Sequence, residues 1–472
     1  MKVLNVALFL AAVSFAGCSS SSAPRPTSGI QPEPKSEAPS QADPQSQQAP
    51  QPQPAETEAA TIGVVRSAQQ RNTDPQLSER EQEILATNQV GFAVDFYHAV
   101  RSSPESTGKD IFLSPHSVSI ALAMTYAGAR GETAAEMKKA LHFALPDDRL
   151  HTGFGYLDLE LASRDKGPND DAIQFRVNVG KPLRLNVASS IWGQKGSSFE
   201  TPFLDNLAIN YGSGLNVVDF IGETEKSRVA INRWVEEQTE KRITDLLPKA
   251  IISPDTRMVL VNAVYFDAAW ASPFPPGSTK PGPFTKLDGS TVDVTMMNAV
   301  SEHPYAKTDG YEAVEMPYDG DALSMLVIAP TKGTFAKFEA ALTGGKVLDI
   351  LASLEKKELN LFFPKLKCEG AFKLKDPLKA LGMQKAFDPS GADFSGMSTT
   401  ERLSVQDVVH KTFVEIDERG TIAAAATGLV NVAASAPPPP PEMRVDRPFI
   451  AAIIDRPTKT LLFLGRILEP KL

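Results

Sequence analysis

Near the C-terminal end of the chain, between two strand-like segments, residues 418–436 form a run that few folds can accommodate. It holds Gly420, Thr421 and four consecutive alanines, Ala423, Ala424, Ala425 and Ala426, with no charge after Arg419 and no proline before Pro437. Connections of this length are usually polar, and when ordered they are usually functional. This one has the composition of a strand and the position of a loop, and it is expected to serve as both, at different times. A central strand needs every backbone N–H, which excludes proline, and residues 421–436 contain none. Alternate side chains must also enter the inner face of the sheet. Counted from Thr421 they are Thr421, Ala423, Ala425, Thr427, Leu429, Asn431 and Ala433, of which only Asn431 is awkward. A charge at one of the earlier positions would be buried unpaired, at a cost of several kcal/mol. The competing reading is a short exposed helix, since alanine is the best helix former.

The chain is long enough, at 472 residues, to build a large core without covalent staples. Its net charge of -9 gives no basic face, so no nucleic-acid partner is expected. It has two cysteines, Cys18 and Cys368. Lys2 precedes an apolar run over residues 3–15, too short to span a bilayer, and small residues then lead to Cys18 in FAGC. Such a segment reads as a secretory signal. The cysteine after the small pair resembles the lipobox of bacterial lipoproteins, which implies acylation of Cys18 and a membrane anchor. Ser19 in place of Asp resembles the outer-membrane sorting pattern, so an outer-membrane, cell-surface or extracellular location is expected. With Cys18 so used, no disulfide within the chain is possible.

Three regions are predicted: a signal peptide over residues 1–17, a disordered Pro/Ser/Gln-rich tether over 18–80, and one folded domain over 81–472. The tether has almost no large apolar residues and cannot offset its ordering entropy. In the domain, Val90, Phe92, Val94, Phe96, Tyr97 and Val100 give a helix with a broad apolar face. Residues 117–128 read as a second, apolar helix. Thr133 and Glu136 carry the spacing of a capping box for a third. Ile231, Trp234, Val235 and Gln238 mark another. Strands are predicted at 187–192, 259–266, 323–329, 359–363 and 412–417, with PFIAAIID and TLLFLGRIL as a closing buried pair. Helices cluster early and strands late, which indicates an α+β fold.

Enzyme signatures are absent. The six histidines, at 98, 116, 142, 151, 303 and 410, show no metal-ligand spacing, and there is no CxxC, G-x-S-x-G or phosphate-binding loop. No metal, cofactor or catalytic set is therefore expected. Ser114, Ser117 and His410 could suggest a hydrolase, but Ser114-Pro115 opens an apolar helix and His410 sits among Val408, Val409 and Phe413. A buried structural role is the better reading.

The chain resembles the serpin family over residues 88–470, nearly all of the globular part. The motifs are DIFLSPHSVSIALAMTYAGARGETAAEM (110–137), INRWVEEQTEKRITDLLP (231–248), LVNAVYFDAAWASPF (260–274), EMPYDGDALSMLVIAP (315–330), LGMQKAFDPSGADFSGMS (381–398) and VVHKTFVEIDERGT (408–421), closed by PFIAAIID and LLFLGRILEP. The resemblance implies three β-sheets with about nine helices and an exposed reactive-centre loop. It also implies a monomeric suicide inhibitor of serine proteases. Glu418, Gly420, Thr421 and residues 423–426 match the proximal hinge of that loop. The usual loop length puts the scissile bond at Ala434–Ser435. Ser114, Ser117, Asn262 and His410 match the bonded group under the main sheet, the shutter, and Trp270 matches the tryptophan where insertion begins, the breach. Two departures stand out: Ile422 replaces the usual Glu, and Pro437, Pro438, Pro439, Pro440 and Pro441 form an unusually long proline run. Small residues before the bond, Val432, Ala433 and Ala434, suit elastase- or subtilisin-like proteases. A non-inhibitory relative that only binds a ligand, or is merely cleaved, is the alternative.

Overall fold

Ser78 starts the first helix, α1 (Glu79–Arg101): it accepts from the Glu81 N–H, and the Glu81 carboxylate takes the Ser78 N–H at 2.8 Å. The computed structural model describes residues 58–164, 184–421 and 439–472. Cys18, the signal peptide, residues 18–57 of the expected tether, Ile422, Ala423, Ala424, Ala425, Ala426, Ala434 and Ser435 lie outside them.

Ser114 caps α2 (Pro115–Tyr126), which carries proline in its first turn and is buried along its whole length. The Thr133–Glu136 pair does not box a helix start as the sequence suggests. α3 runs over Gly131–Ala140 with Arg130 at its cap. Thr133 Oγ instead accepts from the Asp393 N–H, and the Glu136 carboxylate accepts from the N–H groups of Gln384 and Lys385. Both side chains cap a distant loop because it offers unpaired donors inside the fold. The remaining helices are α4 (Asp147–Ser163), α5 (Thr201–Tyr211), α6 (Thr224–Gln238), α7 (Phe335–Ala340), α8 (Gly344–Ala352) and α9 (Lys375–Ala380). That makes nine α-helices among the described residues.

The main sheet is ordered β1 (Gly63–Val65), β4 (Leu215–Val218), β3 (Arg184–Gln194), β5 (Met258–Ala269), β12 (Val408–Ile416), β11 (Leu366–Lys373). A two-residue strand, β13 (Gly420–Thr421), joins the end of β5. The second network is ordered β14 (Glu442–Arg444), β10 (Glu355–Pro364), β7 (Thr291–Lys307), β8 (Tyr311–Pro317), β9 (Leu323–Pro330), β15 (Phe449–Asp455), β16 (Thr460–Ile467), β2 (Ile111–Leu113), with β6 (Lys280–Thr285) on β7. The third expected sheet is not separate in hydrogen bonding. The 17-residue β7 serves two sheets, pairing with β6 and β10 along most of its length and with β8 over its last three residues.

β5 is buried on both faces, as its apolar run requires. Even-numbered residues such as Leu260 and Val264 pack toward α2 or the second sheet, while Val259, Val261, Ala263 and Tyr265 pack toward Ile231 and Val235 of α6. The main sheet is thus a layer between α2 and α6. The folded part begins earlier than residue 81: β1 lies within the segment expected to be tether, because Val64 and Val65 give a polar stretch just enough apolar character to add to an edge.

Candidate functional site

The register of the main sheet shows an unfinished seam. β12 runs parallel to β5 from Val408 opposite Leu260 to Phe413 opposite Tyr265. Beyond that point the partners of β5 are Gly420, opposite Ala269, and Thr421, opposite Ala268, running antiparallel. Chain leaving the top of β12 turns back and enters the gap between β12 and β5. The turn is closed by Asp417, whose N–H donates to the Gly420 carbonyl at 2.9 Å and whose carboxylate accepts from the Arg419 N–H at 2.8 Å.

Gly420 is required there. Its φ is +148°, and a Cβ would lie 2.1 Å from the Ala268 carbonyl oxygen and 2.6 Å from the Ala269 Cα. Trp270 holds the same corner. Its backbone N–H donates to the Arg419 carbonyl at 2.8 Å, its indole N–H donates to the Asp417 carbonyl at 3.1 Å, and its ring stacks on Tyr318 with centroids 4.6 Å apart.

Glu418 anchors the other side of the turn. Its carbonyl accepts from the Phe274 N–H, and its carboxylate accepts from Thr279 Oγ at 2.8 Å and pairs with Lys365 Nζ at 2.6 Å. Burial pushes the Glu418 carboxyl up, but the bonds from Lys365 and Thr279 outweigh it and hold it below the usual range.

Lower in the seam, Ser189, Asn262 and His410 form one cross-strand row over β3, β5 and β12. Asn262 Oδ1 bonds His410 Nδ1 at 2.5 Å and accepts from Ser117 Oγ at 2.7 Å, while its Nδ2 donates to Ser189 Oγ at 2.7 Å. His410 Nε2 accepts the Ser114 backbone N–H at 3.0 Å, which fixes the proton on Nδ1. Burial depresses the His410 imidazole to about 3, so the ring is neutral. Ser114, Ser117, Asn262 and His410, predicted to act together, are one buried group. They do not form a hydrolytic pair: His410 meets the backbone of Ser114, and the Ser114 hydroxyl accepts from the Ser117 N–H.

Ser189, Tyr318, Thr279 and Lys365 belong to the site and were not anticipated. Ser189 had one weak signal, a pair of hydroxyls with Ser190 inside the strand predicted at 187–192. Cys368 is buried and unpaired, and burial, followed by the Asp110 and Glu369 charges, pushes its thiol up to about 12, so it is inert at neutral pH.

The family model "Serpin (serine protease inhibitor)" matches residues 87–470. An uncharacterized serpin-like protein of Thermococcus kodakarensis is 39% identical over 398 residues, covering 84% of this chain and 88% of the relative. The leukocyte elastase inhibitor of Sus scrofa is 36% identical over 397 residues, covering 82% of this chain and 100% of the inhibitor. Among solved structures, the thermophilic serpin Tengpin in its native state superposes with a TM-score of 0.73 at 29% identity, covering 86% of this chain and 99% of Tengpin.

Proposed function

The chain belongs to the serpin family, and on that premise we propose that it is a suicide inhibitor of serine endopeptidases. The observation that carries this reading is the pairing of Gly420 and Thr421 with the end of β5, in the gap where a further strand would run. Continuing that register residue by residue puts Asn431 opposite Met258, the first residue of β5, with Ala434 three residues past it. Residues 421–434 thus fill the seam from end to end, a travel of roughly 45 Å.

The chemistry belongs to the protease. Its serine attacks the Ala434 carbonyl, the bond to Ser435 breaks, and Ser435 leaves as a new amine while Ala434 stays esterified. Freed at one end, the loop enters the seam and carries the acylated protease to the opposite pole before water completes hydrolysis. The chain contributes no catalytic residue of its own. Strand addition by such a loop is a recognised mode of stored-strain release.

Val432, Ala433 and Ala434 favour proteases with shallow apolar pockets, of elastase or subtilisin type. The similarity to an elastase inhibitor supports the same class. We place the domain at a cell envelope or surface through acylated Cys18, since several acyl chains hold a protein firmly.

Mass spectrometry of a denaturant-stable complex with elastase is the decisive experiment. The expected product is an ester at Ala434 with Ser435 as the new N-terminus. Clean cleavage with no complex and no gain in melting temperature would support the non-inhibitory reading instead. A complex with trypsin alone would overturn the target class, and a mature chain lacking acyl mass on Cys18 would overturn the anchor.

A further inference from the structure

Residues 58–78 precede the family's matched span of 87–470, yet their short strand β1 adds to the main sheet. Gly63, Val64 and Val65 pair antiparallel with Val217, Asn216 and Leu215, which makes β1 the outermost strand beyond β4. On one side of β1, the Ala60 N–H donates to the Lys226 carbonyl of α6 at 3.0 Å. On the other, the Asn72 N–H donates to the Ile209 carbonyl of α5 at 2.9 Å, and Arg71 pairs with Asp158 of α4. The segment then runs into the Ser78 cap of α1.

The body is shaped to receive it. Between α5 and β4 the chain reads Gly212-Ser213-Gly214. A Cβ on Gly214 would lie 2.4 Å from Arg66 Cγ and 2.8 Å from the Val65 carbonyl oxygen, and one on Gly212 would lie 2.7 Å from Arg71 Cδ. Gly214 leaves space that the backbone of this segment occupies, while Gly212, at φ +60°, also closes α5.

We infer that residues 58–78 are a brace that holds the main sheet closed and sets the rate at which it opens. The inference rests on the loop-insertion reading above. Insertion needs β5 and β12 to part by one strand spacing, about 4.8 Å. β3 and β4 are hydrogen-bonded to the β5 side of the seam, and α6 packs on β3. α1 packs on β16, α8 and α9. The segment bonds β4 and α6 at one end and continues into α1 at the other, so displacement of the β5 side strains or breaks these contacts. The brace resists opening without touching the loop.

The test uses the full-length chain and three variants. Val64→Pro/Val65→Pro removes the β1 donors whichever phase the ladder takes. Arg71→Asp breaks the pair with Asp158, and Arg71→Asp/Asp158→Arg restores it. Each protein is incubated without protease, and passage to the inserted form is followed as loss of loop cleavability and rise in melting temperature. Amide hydrogen exchange at residues 260–265 and 408–413 is measured in parallel. The proline variant is expected to convert about tenfold faster or more, Arg71→Asp less so, and the double swap near the rate of the unaltered chain. Variants that convert and exchange at the unaltered rate overturn the brace while leaving the inhibitory reading intact. If the unaltered chain neither traps protease nor gains stability on cleavage, the inhibitory reading fails. Exchange alone then judges the brace, and unchanged exchange in the proline and Arg71→Asp variants overturns it.

Discussion

His410 and Asn262 are bonded across the seam between β12 and β5, Nδ1 to Oδ1 at 2.5 Å, and both side chains are fully buried. On the proposed mechanism, the bond joins the two strands that residues 421–434 would have to separate. Asn262 also binds Ser117 and Ser189, so one side chain ties together α2, β3, β5 and β12. Asn262→Ala removes all three bonds at once. Each buried group left without a partner costs about 1–3 kcal/mol, and thermal unfolding of the variant is expected to start at a clearly lower temperature. Asn262→Ala with an unchanged unfolding midpoint would remove the row from any account of sheet closure.

Acid should loosen the native state through the same group. Burial depresses His410 to about 3, His116 to about 4 and His151 to about 4, against an ordinary value of 6.5. Between those values and 6.5 the unfolded chain binds more protons than the folded one, so stability falls as pH falls through that window. The slope approaches about 1.4 kcal/mol per pH unit for each group. Unfolding midpoints measured from pH 7 to pH 4 are expected to drop progressively, and His410→Gln is expected to flatten part of the slope.

Apolar runs and helical periodicity made the α+β class, four of the helices and the strand at 259–266 legible as strong local signals, while the count of about nine helices came from the family resemblance. The same resemblance, which carries spatial knowledge, made the joining of Ser114, Ser117, Asn262 and His410 legible. Three things were not. Thr133 and Glu136 have capping-box spacing, but a loop 248 to 260 residues away competes for both side chains. β1 is three residues long in polar surroundings, and only the glycines at 212 and 214 hint at its seat. Lys365 meets Glu418 because the junction of β10 and β11 lies beside the hinge, a contact no local pattern encodes.

Glu418→Lys should open the top of the seam. It replaces the acceptor of the Lys365 and Thr279 bonds with a second ammonium beside Lys365. Losing charge-assisted bonds in this mostly buried place costs about 1.5–3 kcal/mol, before any repulsion. The variant is expected to associate with itself on warming, seen by light scattering, while Glu418→Gln, which keeps an acceptor for Thr279, associates more slowly. Equal behaviour of the two variants would mean that the charge at residue 418 is irrelevant to the hinge.

Gly420→Ala tests the early entry of the hinge. The added methyl would sit 2.1 Å from the Ala268 carbonyl oxygen, so the pairing of Gly420 with Ala269 has to break. Insertion then starts from a displaced hinge and runs more slowly, and more acyl-enzyme hydrolyses before it is trapped. The expected outcome is a stoichiometry of inhibition several-fold above that of the unaltered chain, with the same bond cleaved. A stoichiometry unchanged by Gly420→Ala would show that the native pairing of Gly420 does not prepare insertion.

The register assigns Thr427 a partner in the seam. Counting on from Gly420 opposite Ala269 puts Thr427 opposite Asn262. Directly opposed residues of an antiparallel pair face the same side, so its hydroxyl would arrive between Asn262 and His410 when their bond is broken. Among the inward set it is the hydroxyl that follows Thr421, and it meets the polar row that insertion disrupts. Thr427→Val keeps the shape and removes the hydrogen bonds. It should leave formation of the complex nearly unchanged and lower the melting temperature of the cleaved form, with about 1–3 kcal/mol lost for each orphaned group. Thr427→Glu places a carboxylate at the same buried point. Insertion should then stall at the row, and the protease should leave as active enzyme with the loop cut. Complex formation by Thr427→Glu at the unaltered stoichiometry would show that the loop enters in a different register.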